Sequence, residues 1–149
     1  MIGRTLCSLL VVGSLIAACG NDSPTNDPGV PSTDYDRDCR VRFGIVSNET
    51  FATLEFQVDY SRAGGEFVGL GSDVECTRID ERVAAWASNW NCAPSDGCYS
   101  GEMETLNVNV FAGRDILAPL DLLECRFASD GIPDAADFRF EDLSAAMES

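Results

Sequence analysis

The stretch LEFQVDY at residues 54–60 decides the fold class of this chain. Every second residue in it is apolar, and charged or amide side chains fill the positions between them; the apolar set is Leu54, Phe56, Val58 and Tyr60. A period of two is typical of a β-strand that buries one side and exposes the other. We therefore predict a strand here, with the apolar set directed into a core.

Patterns of the same kind recur at regular spacing on both sides of this stretch. Turn-forming residues separate them, and the predicted strands cover residues 41–45, 66–70, 74–79, 83–90, 102–111, 120–127 and 137–143. Residues 83–90 also fit a short helix, but their neighbours favour a strand. Since no convincing amphipathic helix lies among them, the sequence predicts an all-β sandwich of about eight or nine strands.

The N-terminus has the pattern of an export signal. Arg4 precedes an apolar run at residues 6–16 that is too short to span a bilayer comfortably. The run leads into Ile-Ala-Ala-Cys at residues 16–19. This motif resembles the lipobox of bacterial lipoproteins, in which the cysteine is acylated and becomes the new N-terminus. An ordinary secretory signal cleaved near Ala18 is the alternative.

The lipobox reading divides the chain into three parts. Residues 1–18 are a lipoprotein signal peptide, residues 19–36 are an acylated N-terminus and disordered linker, and residues 37–149 are one domain. Acyl chains on Cys19 would hold the protein at a membrane surface. Gly20, rather than Asp, follows this cysteine, and by resemblance to enterobacterial sorting rules this favours the outer membrane. The predicted location is the cell envelope.

Charge and composition restrict the function. The chain has 25 acidic and 10 basic residues, a formal net charge of −15, and neither histidine nor lysine. Such a surface repels the phosphates of nucleic acids, so we exclude nucleic-acid binding. Without histidine and lysine, the common nucleophile–base pairs and Schiff-base chemistry are missing. Carboxylate pairs remain, but on so acidic a surface they are first of all solvating groups. We predict that the protein is not an enzyme.

The acidic residues at 34–38 have part of the pattern of a calcium-binding loop. Asp34, Asp36 and Asp38 alternate as at the start of such a loop. Cys39 stands where the loop requires glycine, and no glutamate occupies the twelfth position. The motif therefore fails and no metal site is predicted; calcium held between acidic loops stays a minor alternative.

The cysteines of the domain indicate disulfides. An exported chain meets an oxidising compartment, and zinc is disfavoured because the chain has no histidine and no CxxC pair. Cys92 and Cys98 flank a proline and an Asp-Gly turn, which favours a bridge between them. A bridge from Cys76 to Cys125 would close a loop of about fifty residues, worth about 4 kcal/mol.

Cys39 is then left over. It is either buried and free or competes for one of the other cysteines, and the sequence leaves these alternatives open.

Four segments carry a family resemblance. The stretch FATLEFQVDYSRAGGEFVGLGSDVEC at residues 51–76 contains an L-x-F-x-V-x-Y strand and an F-V-G strand. A P-L-x-x-L-x-C-x-F strand follows at residues 119–127, and P-x-A-A-D-F at residues 133–138 introduces the last strand. These patterns are similar to those of cohesin-like and carbohydrate-binding-module-like domains of exported bacterial proteins. The resemblance covers most of residues 40–144 and implies a jelly-roll sandwich of about nine strands.

The resemblance also implies a function. In that family one sheet face binds a protein partner or, in the sugar-binding relatives, a polysaccharide. Exposed aromatic rings stack on the sugars, and the candidates here are Trp86, Trp90 and Tyr99; packing in the core is the competing interpretation. Two tryptophans four residues apart in a strand would share one face. The predicted function is a surface-anchored, non-catalytic module that docks a protein, with a carbohydrate-binding module and a structural envelope spacer as alternatives.

Overall fold

The computed structural model describes residues 17–20, 35–46, 50–69, 71–83, 85–92, 104–117 and 120–146. Within these ranges lie nine strands and a short 3-10 turn at Ala135–Asp137. The strands are β1 (Ala17–Gly20), β2 (Arg37–Ile45), β3 (Thr50–Asp59), β4 (Gly65–Phe67), β5 (Cys76–Arg78), β6 (Ala85–Cys92), β7 (Thr105–Leu117), β8 (Leu120–Ser129) and β9 (Arg139–Ala146). In this part of the chain, no helix has the length and apolar character needed to cross a membrane.

The strands form two antiparallel sheets. The first has the order β1-β2-β8-β4, with β5 also paired to β8, and the second has the order β6-β7-β3-β9. Most connections cross from one sheet to the other, as in jelly-roll sandwiches. The prediction of an all-β sandwich is therefore confirmed.

The core lies between the two sheets, and LEFQVDY supplies its centre. Leu54, Phe56, Val58 and Tyr60 are at most 4% exposed, which confirms the predicted buried side of β3. Aromatic rings from both sheets meet them: the Phe67 ring centroid lies 5.0 Å from that of Tyr60 and 5.0 Å from that of Phe127. Their near-perpendicular edge contacts are favourable for aromatic pairs.

Some strand boundaries differ from the predicted ones. The strand predicted at residues 66–70 ends at Phe67, because the chain turns at Gly69 with a φ of 99°. A side chain there would also collide with the backbone of Asp73. The strand predicted at residues 102–111 instead spans Thr105–Leu117, since its last residues beyond the partner of β6 stay paired with β3, where Leu117 lies opposite Thr50. Residues 85–92 are a strand, as their neighbours favoured.

The N-terminal boundary differs as well. Residues 19–36 are predicted as a linker, yet β1 spans the expected cleavage point and pairs with β2 at the edge of the first sheet. Cys19 lies directly opposite Cys39 in this register, and the two form a disulfide. The pairing with β2 and the covalent bond hold this short segment in a strand that its composition did not predict, since alanine and glycine are not strand formers.

A buried polar network fastens the chain between β4 and β5 to the second sheet. Asn91 is fully buried in β6; its side-chain oxygen accepts a hydrogen bond from the Tyr60 hydroxyl at 2.7 Å. Its side-chain nitrogen donates to the carbonyls of Phe67 at 2.7 Å and Gly69 at 3.0 Å, and its backbone N–H donates to the carbonyl of Gly71 at 2.9 Å. Each of these polar groups thus has a hydrogen-bond partner within the protein, as buried polar groups require.

Candidate binding faces

The outer side of the first sheet carries alternating charges. In β2 and β8 the inward positions are buried, and the positions between them point outward with charged side chains. We call this surface the arginine face; its residues are Asp38, Arg40, Arg42, Glu124 and Arg126. On a chain with a net charge of −15 it concentrates three cationic side chains in one small area.

Two of the three arginines are held in ion pairs. Arg126 donates to Asp38 at 2.9 Å and to Glu75 at 3.1 Å, and Arg42 donates to Glu124 at 2.9 Å. The hydrogen bond to Asp38 is the main cause that raises the pKa of Arg126, and the hydrogen bond to Glu124 does the same for the pKa of Arg42. Both groups are partly exposed, so these pairs orient the side chains more than they stabilise the fold.

Arg40 differs from its two neighbours. It is exposed and lies directly opposite Arg126 in the β2–β8 register. Like charges in opposite positions repel each other. Of the two carboxylates on this face, Asp38 already pairs with Arg126 and Glu124 with Arg42. Among the described residues Arg40 has no ion pair, and the Nε of Arg42 is buried without a hydrogen-bond acceptor. The exposed guanidinium of Arg40 can therefore bind a carboxylate from outside.

The outer side of the second sheet has a different chemistry. Its middle strands present amides, one carboxylate and an aromatic ring, and we call it the amide face: Glu55, Gln57, Asn107, Asn109 and Phe111. Phe111 is 47% exposed in the middle of β7, opposite Thr53 of β3. Amides and an aromatic ring on a flat sheet can take hydroxyl groups and the apolar side of a sugar ring.

The predicted tryptophan pair lies in a strand that is not regular. Trp86 is paired with Val110 and Trp90 with Asn107 in the register between β6 and β7. The register shifts between Trp86 and Ser88, where the ladder has a bulge or irregularity. The shared face of the two tryptophan side chains stays a prediction. Tyr99, the third predicted aromatic residue, lies outside the described residues.

The cysteines pair partly as considered from the sequence. Cys76 and Cys125 lie opposite each other in β5 and β8 and form a disulfide. Cys92 is also disulfide-bonded, while its predicted partner Cys98 lies outside the described residues.

The bond between Cys19 and Cys39 gives the leftover cysteine a partner that the sequence analysis did not consider. A sulfur in a disulfide cannot also carry the acyl-glyceryl thioether predicted for Cys19. The two states of that sulfur exclude each other.

Sequence reasoning missed the two side chains that stand out on these faces. Alternation alone places Arg40 between buried Cys39 and Val41, and Phe111 one position after inward Val110. The alternating pattern therefore predicted that both side chains point outward. It could not predict the residues opposite them on the neighbouring strands, which are Arg126 for Arg40 and Thr53 for Phe111.

The described ranges contain no group of three Cys, Asp or Glu side chains arranged to hold a metal ion. No protein-family model matches the chain, and neither a curated protein nor a solved structure is significantly similar to it. The resemblance to cohesin-like and carbohydrate-binding-module-like domains thus stays a prediction.

Proposed function

We propose that this protein is a non-catalytic binding module of the bacterial cell envelope, anchored through acylated Cys19 and docking a protein partner on its arginine face. The observation that carries the proposal is the exposed Arg40, which has no ion pair with any residue that the structure describes, in a row of oriented arginines on a strongly acidic body. A partner with an acidic patch can place a carboxylate on this cation.

The architecture supports a docking role. The face lies on paired strands of a disulfide-linked sheet, with Arg42 and Arg126 held by ion pairs. A partner therefore meets side chains that are already ordered, which lowers the entropy lost on binding. The remainder of the acidic surface repels other acidic proteins, so the face also provides specificity.

Reversing the charge of Arg40 tests this proposal. The Arg40→Glu variant is expected to lose at least about tenfold in affinity for the envelope protein that the wild-type domain retains, because the partner then meets a third carboxylate on this face in place of a cation. Binding is measured by surface plasmon resonance after the retained protein has been identified and purified. The expected loss should shrink as salt is raised.

The matched control is Arg62→Glu. Arg62 is also exposed, in the loop after β3 and away from the arginine face, so the same change in net charge should leave the affinity unchanged. Equal losses in both variants would mean general repulsion rather than docking. A folded domain that retains no protein would favour the structural spacer.

A second candidate function, carbohydrate binding, is favoured by the exposed ring of Phe111 on the amide face. If polysaccharides bind there, Phe111→Ala should weaken retention on insoluble glycans by about tenfold, since ring stacking contributes about 1–1.5 kcal/mol beyond the buried area. Affinity electrophoresis against a panel of polysaccharides measures this. Ile132→Ala, at another strongly exposed apolar residue, is the control; equal retention by wild type and Phe111→Ala would reject the amide face.

A further inference from the structure

The cysteine pair at the N-terminus carries an inference that rests on the proposed anchoring. Cys19 and Cys39 occupy facing positions in the β1–β2 ladder and share a disulfide. Acylation needs the same Cys19 sulfur as a thiolate. We propose that Cys39 competes with acylation for Cys19, so that envelope redox conditions divide the chain between an anchored and an unanchored form.

The topology allows both forms to be folded. β1 is the outermost strand of the first sheet and pairs with β2 alone. Its departure therefore leaves the ladders between β2 and β8 and between β8 and the two short strands intact. In the anchored form β2 becomes the edge of the sheet; in the unanchored form β1 covers part of that edge.

The surroundings of Cys39 suit a thiol as well as a disulfide. It is 0% exposed within the core, and its Sγ lies 3.6 Å from the Ser129 hydroxyl. A free cysteine behaves as a small apolar residue in such a place. Because the folded core hides this sulfur from oxidants, the choice between the two forms is made before or during folding.

The other described cysteines leave Cys39 no different partner. Cys76 and Cys125 are bonded to each other, and Cys92 is already in a disulfide. Among the cysteines that the structure describes, the competition therefore involves one pair of sulfurs, Cys19 and Cys39.

The Cys19 sulfur has two competing reactions, disulfide formation and acylation. Oxidation converts the two thiols to one disulfide; both protons are released, and both electrons pass to a disulfide oxidant of the envelope through a mixed disulfide. Acylation instead forms a bond from the Cys19 sulfur to the glyceryl carbon of a phospholipid. The phosphate headgroup leaves with the bonding electron pair, and the thiol proton is lost.

The test counts the states of Cys19 in the full-length precursor, produced in a bacterium with an oxidising envelope. Free thiols are alkylated in intact cells, the protein is digested without reduction, and the peptides carrying Cys19 are quantified by mass spectrometry. Wild type should contain both the acylated peptide and the peptide linked to Cys39. In Cys39→Ala the linked peptide disappears and the acylated fraction rises.

A reductant in the growth medium gives an independent measurement if Cys39→Ala folds poorly. It should raise the acylated fraction in wild type and leave it unchanged in Cys39→Ala. The double variant Cys76→Ala/Cys125→Ala removes the other bonded pair and serves as the control, with the wild-type distribution expected.

The outcomes separate the inference from the proposed function. The competition is overturned if the wild type contains no peptide linked to Cys39. It is also overturned if the acylated fraction changes neither in Cys39→Ala nor with the reductant. Both results leave the proposed anchor in place. If acylation is absent even in Cys39→Ala and under reductant, the anchor itself is overturned.

Discussion

Replacing Asn91 with alanine is expected to lower the free energy of unfolding by about 3 kcal/mol. The side chain is fully buried and makes three hydrogen bonds, with the Tyr60 hydroxyl and the carbonyls of Phe67 and Gly69. After truncation the two carbonyls lose a donor, and the Tyr60 hydroxyl loses its 2.7 Å acceptor while it retains the longer contact to the Cys92 carbonyl at 3.3 Å. Urea unfolding followed by tryptophan fluorescence measures the loss.

The control for this variant is Asn107→Ala. Asn107 lies on the neighbouring strand, opposite Trp90, on the outer side of the sheet and partly exposed. Removing its amide should change the free energy of unfolding by less than about 0.5 kcal/mol. Tyr60→Phe should fall between the two, because it removes the hydroxyl's bonds to the Asn91 side-chain oxygen and the Cys92 carbonyl but leaves both bonds that the Asn91 side-chain nitrogen donates. Similar values for Asn91→Ala and Asn107→Ala would contradict the role of the network.

Removing the disulfide between β5 and β8 should have an effect of comparable size. Cys76 and Cys125 are 49 residues apart. The double variant Cys76→Ala/Cys125→Ala is expected to lose about 4 kcal/mol, because a crosslink closing a loop of this length restricts the unfolded chain. For a domain of this size the melting temperature should fall by roughly 10–15 °C.

The denaturant dependence identifies the cause of that loss. A chain freed from the crosslink exposes more surface when it unfolds, so the m-value of the double variant should exceed that of wild type. A cavity around Cys125 alone would lower the midpoint without raising the m-value. A double variant with the midpoint and m-value of wild type would show that the bridge contributes nothing to stability.

Strict alternation made much of the fold predictable. The buried and exposed sides of β3 follow directly from LEFQVDY, because a strand with one side in a core has to alternate. Short strands such as β4 and β5 were harder to delimit, since a backbone turn at Gly69 rather than any change in hydropathy ends the first of them.

The candidate site was less predictable because it depends on register. The register shift in β6 lies between Trp86 and Ser88, and the even spacing of the two tryptophans in the sequence gives no sign of it. The Arg40–Arg126 pair joins residues far apart in sequence, and only strand pairing brings them together. The same is true of Asn91, whose partner Tyr60 precedes it by 31 positions.

The irregular edges of the second sheet have a consequence for crowding. Both of its outermost strands depart from a regular ladder: β6 shifts register after Trp86, and β9 shifts where Asp142 adopts a φ of 49°. Under the anchoring proposed above, copies on one membrane meet at high local concentration, where straight edges would pair into continuous sheets. Bulged edges do not present the matching rows of donors and acceptors that such pairing needs. Copies that meet at these two edges are therefore expected to remain separate molecules.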